Sequence, residues 1–210
     1  MKARSGERAK AVRKGQLIAV EGNSGPAVAA AARSVARALR DATGQSGVSA
    51  WDASGIFTEL AAAEAGIAGP SARTVTLLYA ADLAFRLRWH IAPALDAGES
   101  VVAAPYIESA KALGVAAGLP RRWVDEVFGF APKPRVCYRV KERRVRDNSG
   151  RQNSYSEWFT SALVANGDAI DPVKLRAQST EYLNSLQARR RCILFTPSAA
   201  ARLTKPQTGR

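Results

Sequence analysis

The sequence predicts an α/β domain built on a parallel sheet whose two faces are both covered by helices. Three observations carry that prediction. The stretch Gly15 to Ala32, GQLIAVEGNSGPAVAAAA, runs from an apolar segment through two glycines straight into an alanine-rich one, and reads as strand, tight turn and helix. Short apolar runs then alternate with helical segments along the chain. Finally, 210 residues with a hydrophobic fraction of 47% suit one medium-sized domain, able to bury about 70% of the surface its unfolded form would expose.

Residues 1–14 lack apolar periodicity and are read as a flexible basic arm, 15–205 as the single domain and 206–210 as a tail. Order is expected from Gln16. Ala27 to Arg40 mixes alanine, valine and leucine with arginine, a good helix former. Asp41 to Gly47 turns the chain, Val48 to Trp51 is a second strand, and Asp52 or Ser54 is placed to cap a helix over Ile56 to Glu64. A turn at Gly66 to Ser71 leads into a long helix from about Ala72 to Ala97. That helix has Leu77, Leu78, Ala81, Phe85 and Trp89 near one face, Asp82, Arg86 and Arg88 around the rest, and a kink expected at Pro93. Glu99 to Ala104 is a third, fully apolar strand. Pro105 to Ala116 and Pro120 to Phe130 follow as helices, the second with proline in its first turn. Arg135 to Val140 is a fourth strand, 141–158 a polar, lid-like segment, Pro172 to Arg189 a helix, Cys192 to Phe195 a last strand, and Pro197 to Leu203 a closing helix. Ligands of such sheets bind beyond the C-terminal strand ends, which here places Glu21 to Gly25, Trp51 to Ser54, Ala104 to Tyr106 and Thr196-Pro197 together.

No stretch approaches the roughly 18 uninterrupted apolar residues of a membrane span, and no membrane partner is expected. The basic N-terminus lacks the apolar centre of a secretory signal. Cys137 and Cys192 stand in strand-like runs and are expected as buried free thiols, which points to a reducing compartment and a cytoplasmic location. The net charge of +13 gathers in the N-terminal arm, in Lys141 to Arg151, and in Arg189-Arg190-Arg191 with the tail. Such patches suit a nucleic acid or another polyanion through counterion release, or are ordinary solvated surface.

A strand feeding a glycine turn at a helix N-terminus is a geometry that holds phosphate, because backbone N–H groups and the helix dipole converge there. In the pattern G-x-x-x-x-G-K-[ST] the lysine neutralises phosphates and the hydroxyl holds magnesium. Counting from Gly22 through Asn23, Ser24 and Gly25, the second glycine falls on Ala27, the lysine on Val28 and the hydroxyl on Ala29. Pro26 removes one more N–H from the cradle. His90 has no second histidine to make a metal site or a triad, and the four tryptophans, Trp51, Trp89, Trp123 and Trp158, are too scattered for a stacking platform.

Four stretches of the chain resemble the thymidylate kinase family of P-loop nucleoside monophosphate kinases. They are LIAVEGNSG, the Trp51-Asp52-Ala53-Ser54 loop, LLYAADLAFRLRWHIAPALDAGESVVAAPY, and GLPRRWVDEVFGFAPKP. The likeness covers residues 15–140 well and the last third by order of elements only. It implies a three-layer P-loop fold with five parallel strands, a site joining ATP to thymidine monophosphate with magnesium, and a homodimer packed through the long helices. It also makes Trp51, Asp52, Asp82 and Tyr106 the vestige of a nucleoside pocket, and Arg143, Arg144, Arg146 and Arg151 the counterparts of lid arginines.

The departures decide the functional expectation. The family's Asp-Arg before tyrosine is Ala104-Pro105 here, its arginine after Ala-Ala-Asp is Leu83, aspartates along the fourth strand fall on Arg135 and Lys141, and the loop lysine and hydroxyl are Val28 and Ala29. Phosphoryl transfer depends on positioned positive charge and metal. Losing one preorganised donor typically costs about 10²- to 10³-fold in rate, and here several are gone together. The expectation is a catalytically degenerate thymidylate kinase-like protein, a pseudokinase acting as a binding or scaffolding subunit, homodimeric or joined to another protein, with no catalytic residue, metal or cofactor. The alternatives are a divergent nucleotide kinase that uses ATP, Mg and lid arginines, and a nucleic-acid binder on a relic P-loop fold.

Overall fold

The structure, a computed structural model, describes residues 15–63, 69–141, 155–167 and 170–202. Five strands, β1 (Leu17–Glu21), β2 (Ser46–Ala50), β3 (Ser100–Ala104), β4 (Val136–Arg139) and β5 (Ile193–Leu194), form one all-parallel sheet in the order β2-β3-β1-β4-β5. Nine helices accompany them among the described residues: α1 (Gly25–Thr43), α2 (Ile56–Ala63), α3 (Ala72–Arg86), α4 (Ala92–Asp96), α5 (Glu108–Ala116), α6 (Arg121–Val127), α7 (Tyr155–Ala165), α8 (Pro172–Ala188) and α9 (Pro197–Arg202). The central strands β1 and β3 are buried along their whole length, as their unbroken apolar runs require in a parallel sheet covered on both sides.

Strand alternation divides the core in two. Ile18, Val20, Val102, Ala104 and Tyr138 point to the face covered by α1, where they meet Val28, Ala31, Ala32, Val35, Ala36 and Leu39. The closing helix α9 packs beside α1. Leu17, Ala19, Val101, Ala103 and Cys137 point to the other face, under α3, α5, α7 and α8. The result is a three-layer α/β arrangement consistent with the P-loop-like architecture expected from the sequence. α1 is ended by Gly44, whose left-handed backbone (φ 90°) lets its N–H reach Arg40 O at 2.8 Å.

Four features differ from expectation. The long helix is interrupted by a π-helical turn, Leu87–Ile91, placed before Pro93. Proline lacks the N–H for an i→i−4 bond and its ring crowds the carbonyl of residue 89, and the wider turn accommodates both. The burial of that helix is also inverted. Asp82 and Arg86 are fully buried, whereas Leu77, Phe85 and Trp89 are 48%, 37% and 62% exposed. Third, 155–158, assigned to the lid-like segment, form the first turn of α7, which buries Tyr155, Trp158, Phe159, Ala162 and Leu163 at helical spacing.

Finally, Cys137 and Cys192 are joined in a disulfide with Cα atoms 4.6 Å apart, not held as free thiols. The pairing of Tyr138 with Ile193 sets the two cysteines side by side at the start of neighbouring strands. The inference from free thiols to a reducing compartment falls with them. No helix among the described residues is long and apolar enough to cross a membrane.

Candidate functional site: a crevice beyond β1 and β3

β1 and β3 are neighbours in the sheet, yet the chain leaves β1 for α1 on one face and β3 for α5 on the other. The two connections diverge and open a crevice at the strand ends, the place where parallel sheets take ligands. Gly22 and Gly25 of the glycine turn form one wall, Ala104 and Pro105 a second, and Tyr155 and Ser156 at the start of α7 a third.

Several polar groups of the glycine turn are paired within the protein itself. Gly22 donates its N–H to Ser109 Oγ (3.0 Å), Asn23 Nδ2 donates to Ser179 Oγ and Thr180 Oγ1 (2.9 Å each), and Ser156 Oγ donates to Asn23 O (2.6 Å). Ser24 is the N-cap of α1 without a side-chain cap bond, and Pro26 stands in the first turn. A side chain at Gly22 would meet Val28 Cγ2 at 3.0 Å, so Val28 also closes the turn from below.

A cluster of N–H donors at the crevice is filled by Glu21. Its fully buried carboxylate, at the end of β1, accepts N–H bonds from Tyr106, Ile107, Glu108 and Ser109 (3.3, 2.9, 3.0 and 3.0 Å) and the Ser109 hydroxyl at 2.7 Å. These N–H groups open α5, where helix termini favour negative charge. Burial pushes the Glu21 carboxyl above its ordinary value, opposed by the Ser109 hydroxyl and by the backbone donors of Glu108 and Ser109. The arrangement is that of a bound anion, supplied by the chain's own first strand.

The residues expected to be a nucleoside-pocket vestige form a structural frame. Asp52, at φ 56°, accepts N–H bonds from Phe57 and Thr58 (2.8 and 3.0 Å) and so caps α2. Asp82 accepts from Asp52 N (3.1 Å), Ser54 N (2.9 Å) and Ser54 Oγ (2.9 Å), and approaches Arg86 Nε at 3.1 Å as an ion pair without hydrogen-bond alignment. Arg86 Nη1 donates to Pro105 O at 3.1 Å and Nη2 to Tyr79 Oη at 3.2 Å, with the guanidinium 5.5 Å from the Tyr79 ring centre. Tyr79 in turn donates to the carbonyls around the cis Ala104-Pro105 bond, and burial raises its pKa. Tyr106 is fully buried and turns its hydroxyl to Pro132 O (2.8 Å). Trp51 is half-buried, 5.1 Å from the Phe57 ring and 6.0 Å from Tyr155.

Between these walls lies a cavity of about 130 Å³. Val28, Ala29, Ala104 and Pro105 line it, so the four positions where the kinase likeness puts lysine, hydroxyl, aspartate and arginine converge on one space and are all apolar. Leu83 is buried in the core below. Glu21 is held by N–H donors and Asp82 by N–H groups and Arg86, and no group of three or more His, Cys, Asp or Glu is gathered to hold a metal among the described residues. His90 is exposed, with its ring edge-on to Phe85 at 5.6 Å. Arg143, Arg144, Arg146 and Arg151 lie outside the described residues, as do the N-terminal arm and residues 203–210.

Four participants escaped sequence reasoning: Ser109, Arg86, Tyr79 and Tyr155. Only Tyr155 carried a usable signal, the i, i+3, i+4, i+7, i+8 apolar spacing of YSEWFTSAL. No protein-family model matches the chain, and no curated protein matches it.

Proposed function

We propose that this protein is a catalytically degenerate thymidylate kinase-like protein, a pseudokinase that works as a binding or scaffolding subunit. The observation that carries the reading is the replacement of the charged and polar groups at the crevice by apolar Val28, Ala29, Ala104 and Pro105, with the Gly22 N–H given to Ser109 and the α5 N-terminus to the Glu21 carboxylate. A triphosphate entering the crevice meets a carboxylate and apolar walls in place of a lysine, and the desolvation of its charge goes largely uncompensated. The cavity is also well below the roughly 300 Å³ at which pockets for drug-sized ligands begin.

The test is a thermal melt with ATP and magnesium, paired with a turnover assay on nucleoside monophosphates. A binding nucleotide at a hundredfold excess over Kd would stabilise by about 2.7 kcal/mol. The expected result is no shift at millimolar nucleotide and no product. Turnover at the rates of working kinases overturns the reading.

The partner we propose is a second copy of the chain, joined through α3. Leu77, Ala81, Phe85 and Trp89 recur every fourth residue along the exposed side of this helix and its π-helical continuation, an apolar row of the kind that marks an interface. Sedimentation should give a dimer, and Trp89→Glu a monomer with an unchanged melt. A monomeric parent protein rejects this assembly.

A further inference from the structure

Resting on the reading above, in which the crevice transfers no phosphate, we propose that its cavity binds a small neutral molecule of single-ring size carrying a hydrogen-bond acceptor, with the Tyr155 hydroxyl as donor. The volume of about 130 Å³ is close to that of an apolar cavity of about 150 Å³ that takes benzene. Its walls suit such a guest. Val28, Ala29, Ala104 and Leu113 are aliphatic, and Trp51 and Tyr155 contribute aromatic surface, which favours edge or offset contact with a ring.

Tyr155 supplies the specificity. It is 2% exposed, sits among Trp51, Phe57, Tyr79 and Phe159, and its Oη has no hydrogen-bond partner among the described residues. A buried hydroxyl without a partner is costly and requires an explanation. An acceptor delivered by a ligand provides one. Charge is selected against by the same walls: the Gly22 N–H is taken by Ser109, the N–H groups of α5 are taken by Glu21, and that carboxylate stands just behind Ser109. An anion finds these donors already taken and a carboxylate close by, and loses its hydration.

The experiment titrates the full-length protein with pyridine at a pH where it is neutral, with benzene, and with inorganic phosphate. It follows the amide signals of Gly22 and Gly25 and the indole signal of Trp51. Saturable shifts are expected with both rings and none with phosphate. Tyr155→Phe, which removes only the hydroxyl, should weaken pyridine about fivefold and leave benzene unchanged. Ala29→Leu, which fills the cavity, should abolish both. The proposal is overturned if neither ring gives a saturable shift up to about 10 mM, if Tyr155→Phe leaves pyridine binding intact, or if phosphate moves the same signals. Turnover of nucleotide removes the parent reading and is scored separately, so failure of ring binding without turnover removes this proposal alone.

Discussion

The two faces of the sheet are covered by the same chain with different chemistry. On the α1 face the contacts are aliphatic apart from Tyr138 and Phe195: Ile18, Val20 and Val102 against Val28, Ala32, Val35 and Leu39. On the opposite face, where α3, α5, α7 and α8 crowd together, fully buried Glu21, Asp82 and Arg86 sit inside a shell of Tyr79, Tyr106 and Tyr155. α1, with the short α9 beside it, meets this face with apolar side chains and leaves no charged group buried within the cluster. Several helices and their connecting loops bring N–H groups and carbonyls to buried charges, and those charges then fix the loops that form the crevice.

Mutation of each face tests this contrast. Arg86→Ala should have the largest effect, about 3–5 kcal/mol, because it strands Asp82 without its counter-ion; urea unfolding reads the loss, and a cost below about 1 kcal/mol would mean that the loop N–H groups alone hold Asp82. Leu39→Ala on the plain face should cost about 2–5 kcal/mol as a cavity effect, with no change in pH dependence. Reducing Cys137–Cys192, which closes a loop between positions 55 apart on the helix-rich face, should lower unfolding stability by about 2–4 kcal/mol. A serine double variant should show the same loss without reductant.

Glu21→Gln should be smallest, about 1–3 kcal/mol at neutral pH, since an amide nitrogen then faces N–H donors. The same variant also tests pH dependence. The raised pKa means that the folded state binds a proton more tightly than the unfolded one. Its contribution to stability is therefore fully present below the ordinary value of 4.5 and declines as pH rises from there through the raised value. Denaturation midpoints across that window should show the slope in the parent protein, reduced in Glu21→Gln. An identical slope in both would assign the pH dependence to other groups.

Much of the plain face was legible in the sequence. The unbroken run Leu17-Ile18-Ala19-Val20 fixed a buried strand, and Val28, Ala31, Ala32, Val35 and Leu39 recur at helical spacing. The glycine turn and the apolar Val28 and Ala29 behind it were legible for the same reason, since both are patterns of nearby residues. α3 misled. Its apolar row of Leu77, Phe85 and Trp89 lies outside and its polar pair Asp82 and Arg86 lies within, because the pair is satisfied by loops that are distant in sequence.

Local periodicity and turn chemistry thus settled the α/β class, the strands and the glycine turn before α1, because each depends on residues within a few positions of one another. The strand order, the disulfide, the inward face of α3 and the capture of Glu21 were settled only in three dimensions. Glu21 meets its donors 85 to 88 positions away, and Asn23 its own 156 and 157 positions away. Pairing over such separations follows from how the layers close on the sheet, and no local pattern encodes it.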